Sequence, residues 1–450
     1  MRRLRKKMRT ARYSTTFAVL AAIAVAAAAC GGSTSPSPTA AASAAPGTST
    51  EPAASADPVA AEPVTIDFPY LWSGPEGEAL EGVIAAFNAS QSGIVVKGAS
   101  SPDFQKQVTD MAAPDGFDIS DNFGSTVGSW ASTGVLEPLD AYIAADSYDL
   151  SDFVPAALQD NQFEGKTYAL PIAVHTQLLM YNKKLFAEAG LEPPTTISEL
   201  QDAIIKLTKV DGSGDVTQLG MRAPDYVNLA YVFGGDWFDA AGTATPDNAS
   251  NLAALHFWVD NVVKKYGTDK LQKFESGYGE YASAQNPFYT GKVAMVLDGE
   301  WQPTFINQYA PDLEWGVVPA PHPDDQPDLA GASQLTSSMF FIPRNASHKQ
   351  EAWIFLKYLV SPEAMAVFSR ALANLPARTS LLGDPAYADI PQFTAWLDSL
   401  KSPNLKTIAS LPSTAEYTRD LMDAFGLVNT LKQTPEEAMA AVKVKATSYK

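Results

Sequence analysis

The chain has 450 residues, and its 50 acidic and 32 basic side chains give a formal net charge of −18. Seven of the basic side chains lie within the first twelve residues, so the chain without them carries 25 basic and 50 acidic groups, a net charge of −25. This acidity argues against nucleic acids and anionic lipid headgroups as partners. Since Cys30 is the sole cysteine, no disulfide can form within the chain.

The first 29 residues have the pattern of a secretory signal peptide. The segment "MRRLRKKMRTAR" is basic, and an apolar run from Phe17 to Ala29 follows it and ends in small residues. This run is shorter than the ~20 apolar residues that span a bilayer. The sequence therefore predicts a cleaved signal, with a short membrane anchor helix as the alternative.

The segment "AAAC", which ends at Cys30, resembles the lipobox of bacterial lipoproteins, although leucine is more usual at position 27. The resemblance implies that the signal is cleaved before Cys30 and that its thiol receives a diacylglycerol, with acyl chains such as palmitate. Two or three acyl chains on one residue suffice for stable anchoring. A free thiol on an exported protein is the alternative.

Residues 30–63 consist mainly of Ser, Thr, Ala, Pro and Gly and contain no aromatic side chain. Such a segment cannot bury enough apolar area to offset the entropy lost on ordering. It is predicted to be a disordered tether between the lipidated cysteine and a folded body.

The folded body, about 385 residues, exceeds one ordinary hydrophobic core and suggests two lobes. Its first part predicts a strand at "VTIDFPYLW", a helix from about Glu76, a strand at "GIVVKG", a helix near residues 104–111 and a short strand at "FDIS". This alternation of strands and helices favours α/β lobes with largely parallel sheets.

The rest of the body continues the alternation. Separate buried strands are predicted at "TYALPI", "QLLMYN", "VAMVLDG" and "EWGVVPAP". Helix starts are predicted at the capping boxes Ser198–Gln201 and Thr434–Glu437, and at Ser361 before a proline.

Several blocks in a shared order resemble the extracellular solute-binding proteins of ABC importers, in the branch of maltose-binding and other sugar-binding proteins. These blocks are "GKTYALPIAVHTQLLMYNKKLFAEAGLEPPTTISELQDA", "NPFYTGKVAMVLDGEWQPTFI", "GVVPAPHP" with "AGASQLTSSMFFIP", and "EAWIFLKYLVSPEAMAVFSRALANLPAR". The resemblance implies an α/β, two-lobe, periplasmic-binding-protein-like (type II) fold whose hinge the chain crosses about three times. We expect crossings near Pro171, Pro319 and Tyr358, which place residues 64–172 with 320–358 in lobe 1 and residues 173–319 with 359–450 in lobe 2.

The same resemblance implies a membrane-tethered extracellular receptor on the bacterial cell membrane. It would bind a sugar or oligosaccharide in the cleft between the lobes and deliver it to an ABC permease, as a monomer, without a cofactor, metal or enzymatic step. A sugar needs aromatic planes for its C–H faces and hydrogen-bonding groups for its hydroxyls. Such residues occur at predicted strand ends, loops and hinge positions, and the candidate ligand contacts are Trp72, Asn122, Ser125, His175, Tyr226, Trp237, Trp301, Ser333, Gln334, Arg378 and Tyr417.

Each candidate has a purely structural alternative. The aromatic residues could be packing residues, His175 could be a satisfied core histidine, and Arg378 could tie down the C-terminal segment through a carboxylate.

Other functions remain open. The same fold could bind a polyamine, a peptide or an anion, or could present its ligand to a signalling partner. A secreted glycosidase would need two carboxylates at a defined separation, and Asp298 and Glu300, two apart at a strand end, match that requirement poorly. The sequence contains no G-x-S-x-G, H-E-x-x-H or phosphate-loop motif, and its four histidines lack zinc-ligand spacing.

Overall fold

The computed structural model describes residues 62–114 and 116–449. Three predicted features lie outside the described residues: the signal peptide, the lipidated Cys30 and nearly all of the tether. They therefore stay predictions.

The strands, in chain order, are β1 (Val64–Tyr70), β2 (Ile94–Ser100), β3 (Ser120–Phe123), β4 (Gln162–Phe163), β5 (Lys166–Thr167), β6 (Ala169–Asn182), β7 (Lys209–Val210), β8 (Val216–Met221), β9 (Val293–Gly299), β10 (Trp315–Val318), β11 (Ser333–Phe341), β12 (Leu375–Pro376) and β13 (Leu405–Lys406). The α-helices are α1 (Pro75–Ser90), α2 (Phe104–Ala112), α3 (Val127–Ser132), α4 (Asp140–Asp146), α5 (Pro155–Asp160), α6 (Lys183–Ala189), α7 (Ile197–Leu207), α8 (Tyr226–Val232), α9 (Ala249–Trp258), α10 (Lys264–Tyr266), α11 (Thr268–Glu275), α12 (Gln302–Tyr309), α13 (Lys349–Leu359), α14 (Pro362–Leu372), α15 (Thr394–Ser399), α16 (Thr414–Asn429) and α17 (Pro435–Ala446). Single-turn 3₁₀ segments and a π-helical stretch at Val259–Val263 lie between them.

The strand β6 lies at the centre of a nine-stranded sheet. It forms one continuous strand where two were predicted, because the residues between "TYALPI" and "QLLMYN" stay in the hydrogen-bonded ladder. Its first half pairs with β11, as far as Thr176, and its second half pairs with β9 from Gln177 onward. The change of partner between these two neighbouring residues marks the place where the chain passes from one part of the sheet to the other.

The expectation of largely parallel sheets was wrong. The pairs β1–β2, β8–β9 and β11–β13 are parallel, but β9, β10, β11 and β12 all run antiparallel to β6. The sheet is therefore mixed, because every strand that pairs with the central strand runs against it.

Two of the three predicted helix starts were found where expected. Thr434 caps α17 in a capping box with Glu437, and Ser361 caps α14 before its proline. The third prediction was wrong by two residues, since α7 begins with a capping box between Thr196 and Glu199. The predicted pair Ser198–Gln201 and the observed pair Thr196–Glu199 both have the spacing of a capping box. The carboxylate of Glu199 suits the positive helix N-terminus better than the neutral amide of Gln201. The predicted strand at "FDIS" also lies slightly later, as β3.

The main hydrophobic core is continuous from β1 and α1 through β6 and β9 to α16 and α17. The predicted lobe boundaries stay predictions, but one packing contact bears on them. Helix α14 packs along α1, and β12, which follows α14, pairs with the first half of β6. The segment from 362 to 376 thus packs with elements assigned to lobe 1.

Within the described part of the chain, no helix is both long enough and apolar enough to cross a bilayer.

Candidate functional site

A cavity of about 160 Å³, called here the Trp72 cavity, lies where β1 and β3 end. It is lined by Leu71, Trp72, Ser73, Glu76, Pro102, Phe104, Asp121, Asn122, Phe123 and Ser338. Trp72 follows the end of β1, and its indole packs against Phe340 and Phe368 at ring-centroid distances of 5.7 and 5.0 Å. The carboxyl ends of strands are the usual place for ligands on open α/β sheets.

Two carboxylates face this cavity. Asp121 is 2 % exposed, and its Oδ1 atom accepts a hydrogen bond of 2.7 Å from the backbone N–H of Leu71. Burial raises the pKa of Asp121 to about 7, and the charge of Glu76 adds to the effect. Burial also raises the pKa of Glu76, which lies in the first turn of α1. Ionisation of either carboxyl group in this cavity is therefore opposed by desolvation.

His175 connects the Trp72 cavity to the end of β9. Its Nε2 atom lies 3.0 Å from the Oγ of Ser338, which lines the cavity, and its Nδ1 atom lies 2.6 Å from the Oε1 of Glu300. Glu300 is completely buried, and the imidazole stands edge-on to the indole of Trp301 with 6.0 Å between ring centroids. Trp72 and Trp301 are therefore linked through Ser338 and His175.

The indole of Trp301 is held in place by its neighbours. Its Nε1 donates a hydrogen bond of 2.7 Å to the hydroxyl of Tyr281, which donates one of 2.6 Å to Asp298. Burial raises the pKa of Asp298 to about 6, although Tyr281 and the backbone N–H of Gly299 donate to it. A Cβ at Gly299 would overlap the indole ring, so only glycine lets Trp301 fold back over this residue. Asp298 and Glu300 bind different partners, Tyr281 and His175.

A second cavity, of about 440 Å³ and called here the Gln334 cavity, lies farther along β11. Its lining includes Ser125 and Gln334 together with Trp130, Asp160, Thr418 and Met422. Asp160 is 3 % exposed, its Oδ2 accepts hydrogen bonds from the N–H and the hydroxyl of Ser337, and burial raises its pKa to about 7. Residues 121–123 line the Trp72 cavity and residues 125–126 line the Gln334 cavity, so one short segment contributes to both.

Ser333 belongs to a buried hydrogen-bond network beside the β6 partner change. Its hydroxyl accepts a hydrogen bond from Thr176 at 2.9 Å and lies 3.0 Å from the side-chain oxygen of Asn228. The Asn228 amide in turn donates to Gln177, and its oxygen accepts from the backbone N–H of Gln334. This network ties β6, β11 and α8 together at the point where β6 changes its pairing partner.

Three predicted aromatic contacts are buried in the hydrophobic core and line neither cavity. Tyr226 and Trp237 pack on Phe425, with ring-centroid distances of 4.8 and 5.9 Å. Tyr417 is completely buried and donates a hydrogen bond of 3.1 Å to the carbonyl of Trp237. These three side chains are covered by protein in this structure.

Arg378 is also buried, and each nitrogen of its guanidinium has a protein partner. Nε donates to the carbonyl of Val360 at 2.7 Å, Nη1 to Asp152 at 3.0 Å and Nη2 to Tyr148 at 2.7 Å. The guanidinium carbon lies 4.2 Å from the centroid of the Phe153 ring. The contact with the Asp152 carboxylate is the kind of structural role considered as the alternative for Arg378.

As ligand contacts, all eleven candidates stay predictions. The structure brings Trp72, Asn122, His175 and Trp301 together, and places Ser125 and Gln334 in the lining of the Gln334 cavity. Sequence reasoning did not select six residues of the same site: Glu76, Phe104, Asp121, Phe123, Tyr281 and Glu300. The available signals were the position of Asp121 beside Asn122 and of Glu300 beside Trp301; Tyr281 gave none, since it lies in a loop.

Among the described residues, no group of three or more His, Asp or Glu side chains is arranged to hold a metal ion.

The family described as "Bacterial extracellular solute-binding protein" matches residues 72–366. A binding protein of Brucella abortus is 28 % identical over 360 residues, which cover 76 % of this chain and 85 % of that protein. The mannitol-binding protein of Pseudomonas aeruginosa is 26 % identical over 323 residues, covering 68 % of this chain and 72 % of its own. The solved structure of CpMnBP1 with mannobiose bound superimposes with a TM-score of 0.72 at 27 % identity, covering 85 % of this chain and 99 % of the other. These similarities confirm the predicted two-lobe, type II α/β fold class.

Proposed function

Because the chain belongs to the bacterial extracellular solute-binding proteins, as its sequence blocks predicted, we propose that it binds a sugar or an oligosaccharide in its cleft and delivers it to an ABC permease. The Pseudomonas relative named above is described as binding mannitol, and the solved neighbour is described with mannobiose bound; both ligands are neutral and polyhydroxylated. The link from the Trp72 cavity through Ser338 and His175 to Trp301 carries the proposal for this chain. It joins aromatic faces and hydrogen-bonding groups at the ends of β1, β3 and β9 in one site, as a saccharide requires.

The proposed mechanism is closure of two lobes over the ligand, without covalent chemistry. The lobes follow the predicted division, except that residues 362–376 join lobe 1, since α14 packs on α1. A ligand stabilises the closed state only to the extent that it contacts both lobes at once. Trp72 and Trp301, which are linked through Ser338 and His175, are the contacts proposed for the two lobes, and the closed monomer then docks on the permease.

We further propose that the receptor is anchored through lipid on Cys30, at the extracellular face of the cell membrane. The −25 charge of the chain without its first twelve residues argues against electrostatic attachment to anionic lipid, so the acyl chains would supply the anchoring. Cys30→Ser should move the protein from the membrane fraction to the medium. Mass spectrometry of the N-terminal peptide should find a diacylglycerol on Cys30 of the unaltered chain, and an unmodified thiol there would refute the anchor.

The test of the binding function is a thermal-shift screen of the full-length chain against neutral mono- to tetrasaccharides and alditols, followed by calorimetry of each hit. We expect at least one polyol to raise the melting temperature and to be recovered intact after incubation. Hydrolysis of the hit would identify a glycosidase instead. A shift with peptides or inorganic anions but with no polyol would contradict saccharide binding.

A further inference from the structure

The Trp72 cavity is acidic on one side and carries no basic counterpart. Glu76 and Asp121 both line it, whereas none of its described lining residues is Lys or Arg. A neutral ligand that displaces water from this cavity would leave two carboxylates without an opposite charge. Burying charge in this way is unfavourable unless a cation compensates it.

Asp121 is positioned to accept from the ligand. Its carboxyl is almost fully buried yet lines the cavity, and Leu71 donates to it only through a backbone N–H. No side-chain donor of the described residues reaches this carboxylate. The neighbouring amide of Asn122 is engaged elsewhere, since it donates to Gln107 at 2.6 Å. The ligand is therefore the available source of a strong donor to Asp121.

The nearby imidazole of His175 is also committed. His175 interacts electrostatically with Glu76, but its two ring nitrogens already face Glu300 and Ser338. His175 thus forms its hydrogen bonds with Glu300 and Ser338 rather than with the two carboxylates of the cavity. Among the described residues, no basic side chain forms a hydrogen bond or an ion pair with Glu76 or Asp121.

Aromatic rings complete the surroundings of these carboxylates. Trp72 lines the cavity beside Phe104 and Phe123, which are 48 % and 44 % exposed and stack on each other with 6.3 Å between centroids. Aromatic faces attract ammonium groups as well as the C–H faces of sugars. The rings alone fit either a neutral or a cationic polyol, and the two carboxylates decide between them.

We propose that the ligand is an amino sugar, or an oligosaccharide that contains one, whose protonated amine binds between Glu76 and Asp121 while its ring lies on Trp72. This inference rests on the proposed saccharide-binding function and specifies its substrate class. An ammonium group offers three donors and a full positive charge, so it meets both carboxylates at once. The bound cation also favours the ionised form of Asp121, whose pKa burial otherwise raises.

The test compares matched ligands on the full-length chain by calorimetry at pH 7. Each set contains an amino sugar, its N-acetyl derivative and its neutral parent, built on glucose, galactose and mannose, as monosaccharides and as tetrasaccharides. We expect at least one amino sugar to bind tenfold or more tightly than both of its partners. Equal or tighter binding of a neutral parent overturns this inference and leaves the proposed function standing. If spermidine binds but no saccharide does, or if none of these compounds binds, both the amino-sugar inference and the proposed saccharide-binding function are overturned.

Two variants and a matched control connect the preference to the cavity. Glu76→Gln and Asp121→Asn should each weaken amino-sugar binding at least tenfold while changing the affinity for the neutral parent little. Glu78→Gln is the control, because Glu78 lies in the same first turn of α1 but is exposed. It removes the same charge beside the same helix end and should leave the preference intact. If Asp121→Asn fails to fold, Glu76→Gln alone decides, and an unchanged preference in that variant refutes the inference.

Discussion

The imidazole of His175 and the carboxylate of Glu300 meet at 2.6 Å, between Nδ1 and Oε1. The contact joins the middle of β6 to the turn that follows β9, beside the indole of Trp301. Glu300 is completely buried, and the described residues provide no hydrogen-bond partner for its Oε2 atom. This carboxylate therefore depends on one imidazole.

We expect His175→Ala to lower the free energy of unfolding by about 3 kcal/mol, because it leaves a buried carboxylate without its partner. Urea unfolding monitored by circular dichroism measures the change. The matched control is His256→Ala, whose imidazole also lies 2.6 Å from a carboxylate, that of Glu436, but at the surface. Exposed ion pairs contribute little, so the control should lose well under half as much. Similar losses in the two variants would show that burial of Glu300 is not what makes the His175 contact important.

Trp301 provides the second prediction. Trp301→Ala should weaken saccharide binding by roughly 2–4 kcal/mol, because a stacking surface at the centre of the site is lost. Calorimetry with the ligand found in the screen measures the effect. Trp237→Phe is the control: this indole is 1 % exposed and packs in the core, so the variant should unfold more easily but bind with unchanged affinity. An unchanged affinity in Trp301→Ala would exclude stacking.

Arg378 should behave as a structural residue. Arg378→Ala removes three hydrogen bonds and the contact with the Phe153 ring, so we expect the free energy of unfolding to fall by about 2–4 kcal/mol. Arg378→Lys should recover only part of the loss, since an ammonium cannot reproduce the planar fork of donors. Ligand affinity, measured below the melting temperature of each variant, should not change. A loss of affinity in the folded Lys variant would restore Arg378 as a candidate ligand contact.

Much of the fold could be predicted because the local signals agreed with the tertiary structure. The capping box of Thr434 and the proline after Ser361 locate helix starts by hydrogen bonding within one turn, which needs no distant partner. The direction of the strands could not be obtained in this way. Strands β9, β10, β11 and β12 pair antiparallel with β6, which lies far before them in the chain, so the mixed sheet arises from long-range contacts.

The site was predicted in part for a similar reason. Trp72 and Trp301 follow strand ends, where a sequence pattern can locate them. Tyr417 has the same aromatic character, but α16 turns it into the core, and a single sequence does not show which side of that helix is covered by Trp237. The acidity of the Trp72 cavity arises from Glu76 and Asp121, which are 45 positions apart and meet only after folding.

The last prediction concerns pH and the carboxyl of Asp160. Burial raises its pKa in the folded protein to about 7, well above the ~3.9 of an unfolded chain. Between these values the folded state holds a proton that the unfolded state lacks, so stability must fall as pH rises toward 7. Between pH 5.5 and pH 8, this one group should change the free energy of unfolding by about 2 kcal/mol. The raised pKa values of Asp121 and Asp298 act in the same direction.

Urea unfolding at pH 5.5, 6.5, 7.5 and 8 should therefore find the protein most stable at the acidic end of this range. Asp160→Asn carries no titrating group at this position and should flatten the dependence by about 2 kcal/mol across the range, while Asp202→Asn, a change on the exposed side of α7, should leave it as it is. The range stays above pH 5 because Asp152 and Asp420, whose pKa values are lowered, lose their stabilising contribution only at more acidic pH. If Asp160→Asn retains the full dependence, the proton taken up on folding lies on another carboxyl group, and Asp121→Asn is the next variant to measure.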